Sequence, residues 1–333
     1  QPPDERYTRA LLGELGLRTA PRLDAVYFGG GTPSLWPARH VAEVLGALAL
    51  APHAEVTLEA NPGAADAARF AEYRAAGVNR LSIGVQSFEP STLKALGREH
   101  DGAQAEGAFR AARAAGFDNV SLDFIYGVHG QTLAEARRDA ERAAALEPEH
   151  LSAYALTLEK EALAEEVPLA RQLSRGEVQL PPDEVVLSMQ RAVAEAYAKR
   201  GIHRYEISNY AKPGYHSRHN AAYWTGGEYL ALGAGATGRV GSTRYQNHRS
   251  AERYLADVEA GRLPEASREA LDEQTLRAER VAMGLRLTGG IELDGPVQVL
   301  GRLERAGLVD LGRRVRLTDR GFDVHSSVAA ALM

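Results

Sequence analysis

Residues able to do chemistry collect at the ends of strand-like runs. Gly29, Gly30, Gly31 and Thr32 follow "AVYF", Glu59 and Asn61 end "EVTLEAN", Gln86 and Ser87 end "RLSIGVQS", Asp123 lies within "NVSLDFIYG" and Tyr154 within "HLSAYALTLE". A glycine triplet leaves backbone N–H and C=O groups bare for a charged or zwitterionic ligand, and Pro33 fixes the turn behind it. Taken singly, each feature has an ordinary explanation: a tight turn, a helix cap, a turn-forming polar pair. Taken together, a buried polar ring without a ligand would leave costly unsatisfied groups. The triplet is not a P-loop, and no G-x-G-x-x-G opens a helix after it, so nucleotide phosphate and dinucleotide sites are excluded on motif grounds.

The elements that must position these residues alternate. Short runs rich in Val, Ile, Tyr and Phe at 24–30, 55–61, 80–87, 119–127 and 150–159 read as buried strands, and Ala-rich, Arg/Glu-decorated stretches at 38–50, 64–76, 90–96, 103–115 and 132–146 read as helices. Asp4 is expected to cap a first helix with Leu11, Leu12, Leu15 and Leu17 as its apolar positions. Glycines in "LGLRTAPRLDAV", "AAGVNRLSIG" and "AAGFDNVSLD" fit helix C-caps ahead of strands. Strand–helix repetition predicts a parallel sheet, and the absence of a topological break favours a barrel or partial barrel over an open sheet, with the chemistry at the C-terminal strand ends.

A helix over 183–200 leads to a last strand at 204–211, followed by a Gly- and aromatic-rich segment that reads as a functional loop. Helices near 272–287 and 295–306, a basic hairpin at 308–318 and a last helix at 322–332 predict a small winged-helix-like α+β unit. The expected division is 1–212, 213–265 and 266–333.

Composition sets further bounds. With 39 Lys and Arg against 44 Asp and Glu, net charge −5, no global polyanion partner is expected. No cysteine is present, which excludes disulfides, thiolate catalysis and thiolate-held metal or cluster within these residues. No window reaches the apolar length that spans a bilayer, so a cytoplasmic protein without a transmembrane segment is expected.

In order and spacing, "YFGGGTPS", "LEANPG", "RLSIGVQSF", "LGREHD", "SLDFIYGVHGQT" and "LSAYALTLE" resemble radical S-adenosylmethionine (SAM) proteins of the oxygen-independent coproporphyrinogen III oxidase group, and within it HemW-type haem chaperones. The resemblance implies a partial (β/α)6 TIM-like radical SAM barrel. It also implies that Gly30, Gly31 and Thr32 hold the methionine end of SAM while Glu59, Gln86, Arg98, Asp123 and Ala155 line the rest of its site. The residue types agree: carboxylates accept from ribose hydroxyls or an ammonium, and Arg98 offers a planar donor fork to a carboxylate. Which acid takes which group stays open. The family's C-x-x-x-C-x-x-C loop, which ligates a [4Fe-4S] cluster, has no counterpart here. The first helix aligns just past it, so the loop is expected upstream of Gln1, the alternative being a member that builds no cluster. His129 stands where the family commonly has proline.

His216 and His219 stand three apart in "HSRHNAAYW", and imidazole is a usual axial ligand of haem iron. The ordinary reading is hydrogen-bonding histidines in a glycine-rich loop. By resemblance to the H-N-x-x-Y motif of HemW-type chaperones, His219, Asn220 and Tyr223 are the haem-binding set, with His219 the iron contact and His216 a spare. The implied function is binding of haem and its delivery to haem-requiring acceptors such as respiratory proteins. The alternative is radical decarboxylation of coproporphyrinogen III, which makes enzymatic activity an open question. A third reading takes the winged-helix-like end as a DNA reader. Six arginines (302, 305, 313, 314, 316, 320) against three acids (304, 310, 319) make only a modest patch, so no nucleic-acid partner is expected.

Overall fold

The computed structural model describes residues 4–64, 66–157, 168–293 and 297–333. The elements run α1 (Asp4–Leu17), β1 (Leu23–Phe28), α2 (Ala38–Ala47), β2 (Leu50–Ala60), α3 (Ala67–Ala75), β3 (Arg80–Gln86), α4 (Pro90–Ala95), α5 (Gly102–Ala114), β4 (Val120–Tyr126), α6 (Leu133–Ala145), β5 (His150–Ala155), α7 (Pro168–Ser174) and α8 (Asp183–Ala198). They continue with β6 (His203–Arg204), β7 (Asn209–Ala211), α9 (Arg218–Trp224), β8 (Thr237–Val240), β9 (Thr243–Asn247), α10 (Ala251–Glu259), β10 (Glu265–Ala270), α11 (Glu273–Gly284), α12 (Val297–Arg305), β11 (Val309–Leu311), β12 (Val315–Leu317), α13 (Asp319–Asp323) and α14 (His325–Leu332). The end of the run expected at 150–159 and the start of the helix expected at 295 lie outside the described residues.

One seven-stranded sheet has the order β1-β2-β3-β4-β5-β7-β6, with β2 through β5 parallel. The segment expected to be one last strand at 204–211 is instead a tight antiparallel pair, β6 and β7, of which β7 lies antiparallel to β5 and β6 takes the sheet edge. The cause is Glu206, fully buried, whose carboxylate accepts from Ser208 N–H (2.8 Å) and Asn209 Nδ2 (2.5 Å) and turns the chain. Side chains of β3 are buried on both faces up to Gln86.

The chain divides into two compact units: residues 28–35 with 57–216, and residues 1–27 with 36–56 and 217–333. In the first of these, Leu58, Leu81, Ile83, Val85, Val120, Leu122 and Leu151 are wholly buried, each contributing about 1.5–3 kcal/mol of burial. Helix starts are fixed by side chains: Asp101 with Gln104 on α5 and Thr132 with Glu135 on α6 form reciprocal capping boxes. Gly77 and Gly116 take positive φ after α3 and α5 as the C-cap reading predicts, whereas Gly16 lies inside α1.

In the other unit, α1 begins at Asp4 itself, and its fully buried residues are Thr8, Ala10 and Glu14 rather than its leucines. Glu14 explains that face. Its carboxylate accepts from Gly233 N–H, Tyr254 Oη, Asn247 Nδ2 and Arg18 Nε at 2.8–2.9 Å, tying α1 to β9 and α10. Ala10, Tyr254, Leu255 and Val258 pack into one apolar cluster beside it. The described residues contain no helix long and apolar enough to cross a membrane.

Candidate functional site

Pairing register places the polar residues on one face. Glu59 pairs with Ser82, Ser82 with Ser121, and Ser121 with His150, so four neighbouring parallel strands carry one polar row. Two residues further along β4, Asp123 pairs with Ser152 on the same face. Asp123 Oδ2 accepts from Ser82 Oγ at 2.8 Å and Oδ1 from Ser121 Oγ at 3.1 Å. Burial raises the Asp123 pKa above the usual carboxylate value, while hydroxyls of Ser82, Ser152 and Ser121 and the charge of Arg80 oppose that rise.

At the strand ends, Gly30 and Gly31 adopt φ of 85° and 71°, and a Cβ on either would meet nothing within 4 Å, so both are conformational glycines beside open space. Gly30 N–H donates to Glu59 Oε2 at 3.2 Å, and Asn61 Nδ2 donates to Thr32 Oγ1 at 3.3 Å. Gln86 ends β3 in left-handed backbone at φ 65°, an unusual state for a residue with a side chain. Asp139 on α6 secures this turn from behind by accepting from Ser87 Oγ and from Phe88 N–H (2.8 Å). The triplet, Thr32, Glu59, Gln86, Asp123 and the half-buried Ala155 therefore all belong to one unit, as does Arg98, which is exposed between α4 and α5.

Two residues of this site escape the sequence reading. Gly84 clears the path of the Gln86 side chain: a Cβ there would stand 2.7 Å from Gln86 Nε2 and 3.3 Å from Asn61 Oδ1. A lone glycine inside a strand is the signal that points to such a close approach. Asp139 gives no local signal, since an Asp in a charged helix reads as a solvated residue. His129, in the turn after β4, accepts at Nδ1 from Gln179 N–H at 3.0 Å.

His219, Asn220 and Tyr223 lie in the other unit and on a helix, α9, not in the loop expected from their glycine-rich surroundings. Ser217 caps that helix by accepting from Asn220 N–H at 3.2 Å, and buried Glu55 of β2 accepts from Arg218 N–H (3.0 Å) and His219 N–H (3.4 Å). His219 and Tyr223, one turn apart, share a face. The His219 ring stacks on Tyr27 (4.4 Å, 13°) and meets Tyr223 edge-on (5.0 Å, 83°), which in turn packs on Tyr229 at 4.5 Å. The imidazole is thus set in an aromatic wall. His216 belongs to the unit of the strand-end site, where its ring stacks on Tyr205 at 4.2 Å.

Residues 2–143 match the family described as the radical SAM superfamily. The chain is 37% identical to the heme chaperone HemW of Mycobacterium tuberculosis over 99% of this chain and 86% of that protein. It is 31% identical to HemW of Lactococcus lactis over 98% and 89%, and 39% identical to HemW of Escherichia coli over 72% and 63%. Among solved structures, the Escherichia coli coproporphyrinogen III oxidase HemN, a radical SAM enzyme, superposes with a TM-score of 0.82 at 21% identity over 98% of this chain and 82% of that one. That likeness establishes the curled, partial-barrel α/β fold. With 37% and 31% identity over 86% and 89% of two HemW relatives and a radical SAM match over residues 2–143, the chain belongs to the HemW heme-chaperone family of radical SAM proteins.

Proposed function

We propose that this protein is a cytoplasmic haem chaperone that binds haem through α9, binds SAM at the strand ends, and passes haem to acceptor proteins such as respiratory haem proteins. The observation that carries the reading is His219 standing on a capped helix against Tyr27 and Tyr223, within a chain of the HemW family. An imidazole whose plane is fixed by a stacked and an edge-on ring is preorganised as an iron ligand, and the aromatic wall suits a porphyrin face. Tyr223 and Tyr229 extend that wall, and Glu55 holds the helix end. In this proposal the barrel of residues 1–212 carries the SAM site and also lends Tyr27 and Glu55 to the haem segment, 213–265 form that segment and its connection, and 266–333 the C-terminal winged-helix-like unit.

The strand-end residues fit SAM. Open space over two left-handed glycines can take the amino-acid end, Glu59 beside Gly30 is an acceptor for that end or a hydroxyl, and Asp123, fed by serine hydroxyls, is a preset acceptor for ribose hydroxyls. SAM, when bound, supplies a sulfonium nucleoside. The residues themselves orient it and hold its polar groups away from water. An iron–sulfur cluster does not fit these residues: the chain has no cysteine, and the described residues hold no cluster of metal-ligating side chains. The oxidase alternative rests on the shared fold alone.

A haem titration followed by absorbance, run beside His219→Ala, tests the proposal. A Soret shift that saturates near one haem per chain and is lost in the variant supports it; binding that is nonsaturable or equal in both proteins refutes it.

A further inference from the structure

Behind Asp123 the polar row continues to a histidine that no ligand contact explains. His150 lies on β5, 1% exposed, with Nδ1 2.8 Å from Ser121 Oγ and Nε2 2.9 Å from Tyr205 Oη. Ser121, wholly buried, also reaches Asp123 Oδ1 at 3.1 Å. The proton count sets the direction of this chain. An ionised Asp123 only accepts, so the single Ser121 O–H points to it. The Ser121 lone pair then faces Nδ1, which must carry the imidazole proton, and bare Nε2 accepts from the Tyr205 hydroxyl. Tyr205, His150 and Ser121 form a one-way series of donors ending on Asp123, and such a series strengthens along its length in a low-dielectric interior.

The surroundings keep the imidazole neutral. Burial pushes the His150 pKa well below its usual value, and the charges facing it, Arg80 on β3 and His216 stacked on Tyr205, push the same way. Around Asp123 the other charged or titratable groups are Arg80 and Tyr154, with Tyr197 acting on it only at longer range. Burial favours a protonated Asp123, which would donate rather than accept, so the donors that oppose it matter to any ligand hydroxyl placed there.

We propose that His150 is a positioning residue of the nucleoside site: as the neutral Nδ1–H tautomer it fixes the Ser121 hydroxyl as a donor to Asp123, and so holds that carboxylate ionised and oriented to accept ribose hydroxyls. The inference rests on the reading of Asp123 as part of the SAM site.

Two substitutions separate this role from mere packing. An asparagine amide places its nitrogen near the Nδ1 position and can still donate to Ser121, whereas a glutamine reaches the Nε2 position and Tyr205 instead. S-Adenosylhomocysteine binding is measured by calorimetry on this chain, with His150→Asn, His150→Gln and Asp123→Asn, each checked for native circular dichroism. His150→Asn is expected to bind within about twofold of the parent and His150→Gln about tenfold more weakly, the loss of the one donor that fixes the Ser121 hydroxyl on Asp123. Equal losses in both overturn the proposal. Nitrogen-15 NMR of the imidazole gives a readout independent of ligand: a bare Nε2 and protonated Nδ1, unchanged between about pH 5.5 and 8.5, is expected, and an Nε2–H tautomer or a titration in that window overturns it. Should Asp123→Asn bind like the parent, the nucleoside reading of Asp123 falls instead, while the tautomer still decides whether the donor series exists.

Discussion

Asparagine at Asp139 is the perturbation whose size the structure fixes best. Asp139 is 5% exposed, and burial raises its pKa from the usual 3.8 to about 6, the hydrogen bonds from Ser87 and Phe88 only partly offsetting that rise. At about 1.4 kcal/mol per pH unit the full difference is worth about 3 kcal/mol. Because the folded-state pKa lies above the unfolded one, the native state binds the proton more tightly. The contribution to stability is therefore full below the unfolded value and is lost as pH rises through the folded value. Between pH 5 and pH 8 the loss from this group alone is about 1.4 kcal/mol. Asp139→Asn keeps the shape and cannot ionise, so urea unfolding at those two pH values should show a loss smaller by about that amount in the variant than in the parent. Because all other titrating groups are shared, the difference between the two profiles isolates Asp139. Parallel profiles would refute the assignment of a buried, proton-binding clamp behind the Gln86 turn.

Gly84→Ala should leave the melting temperature close to that of the parent, since the intruding Cβ meets the movable end of Gln86, yet weaken S-adenosylhomocysteine about fivefold by displacing that amide; unchanged affinity in calorimetry would remove Gln86 from the site. Glu14→Ala strips the acceptor from Gly233 N–H and Tyr254 and one partner from buried Arg18, and should cost about 3–5 kcal/mol in urea unfolding, against under 1 kcal/mol for a surface glutamate.

The parts of the fold legible in the sequence are those whose signal is local. Parallel strands buried on both faces read as apolar runs, and the helices between them declare their starts by Asp101 with Gln104 and Thr132 with Glu135. The parts that escape are set by distant partners. Helix α9 has seven residues among glycines and is too short to persist alone; Glu55, more than 160 positions earlier, accepts from its first amides and makes it a helix. The buried face of α1 follows Glu14 and its acceptor duties to Gly233, Asn247 and Tyr254, not the leucine pattern. The ring proposed for SAM is legible as residue types at strand ends, but Ser82, Ser121 and His150 are not. Each looks like an ordinary strand residue until register sets it beside its neighbour.

That register carries a further consequence. In a parallel sheet a shift of one residue turns every side chain to the other face. A slip of β4 against β3 would set Leu122 in place of Ser121 and bury Asp123 away from Ser82, leaving a carboxylate with burial raising its pKa and fewer hydroxyls opposing it. The polar row is therefore costly in any register but the native one. The same serines that donate to Asp123 also penalise misalignment of β3, β4 and β5. Ser82 and Ser121 replaced together by alanine would relieve that penalty only by leaving the buried Asp123 carboxylate without the two hydroxyl donors it has beside the apolar core of Leu58, Ile83 and Leu122.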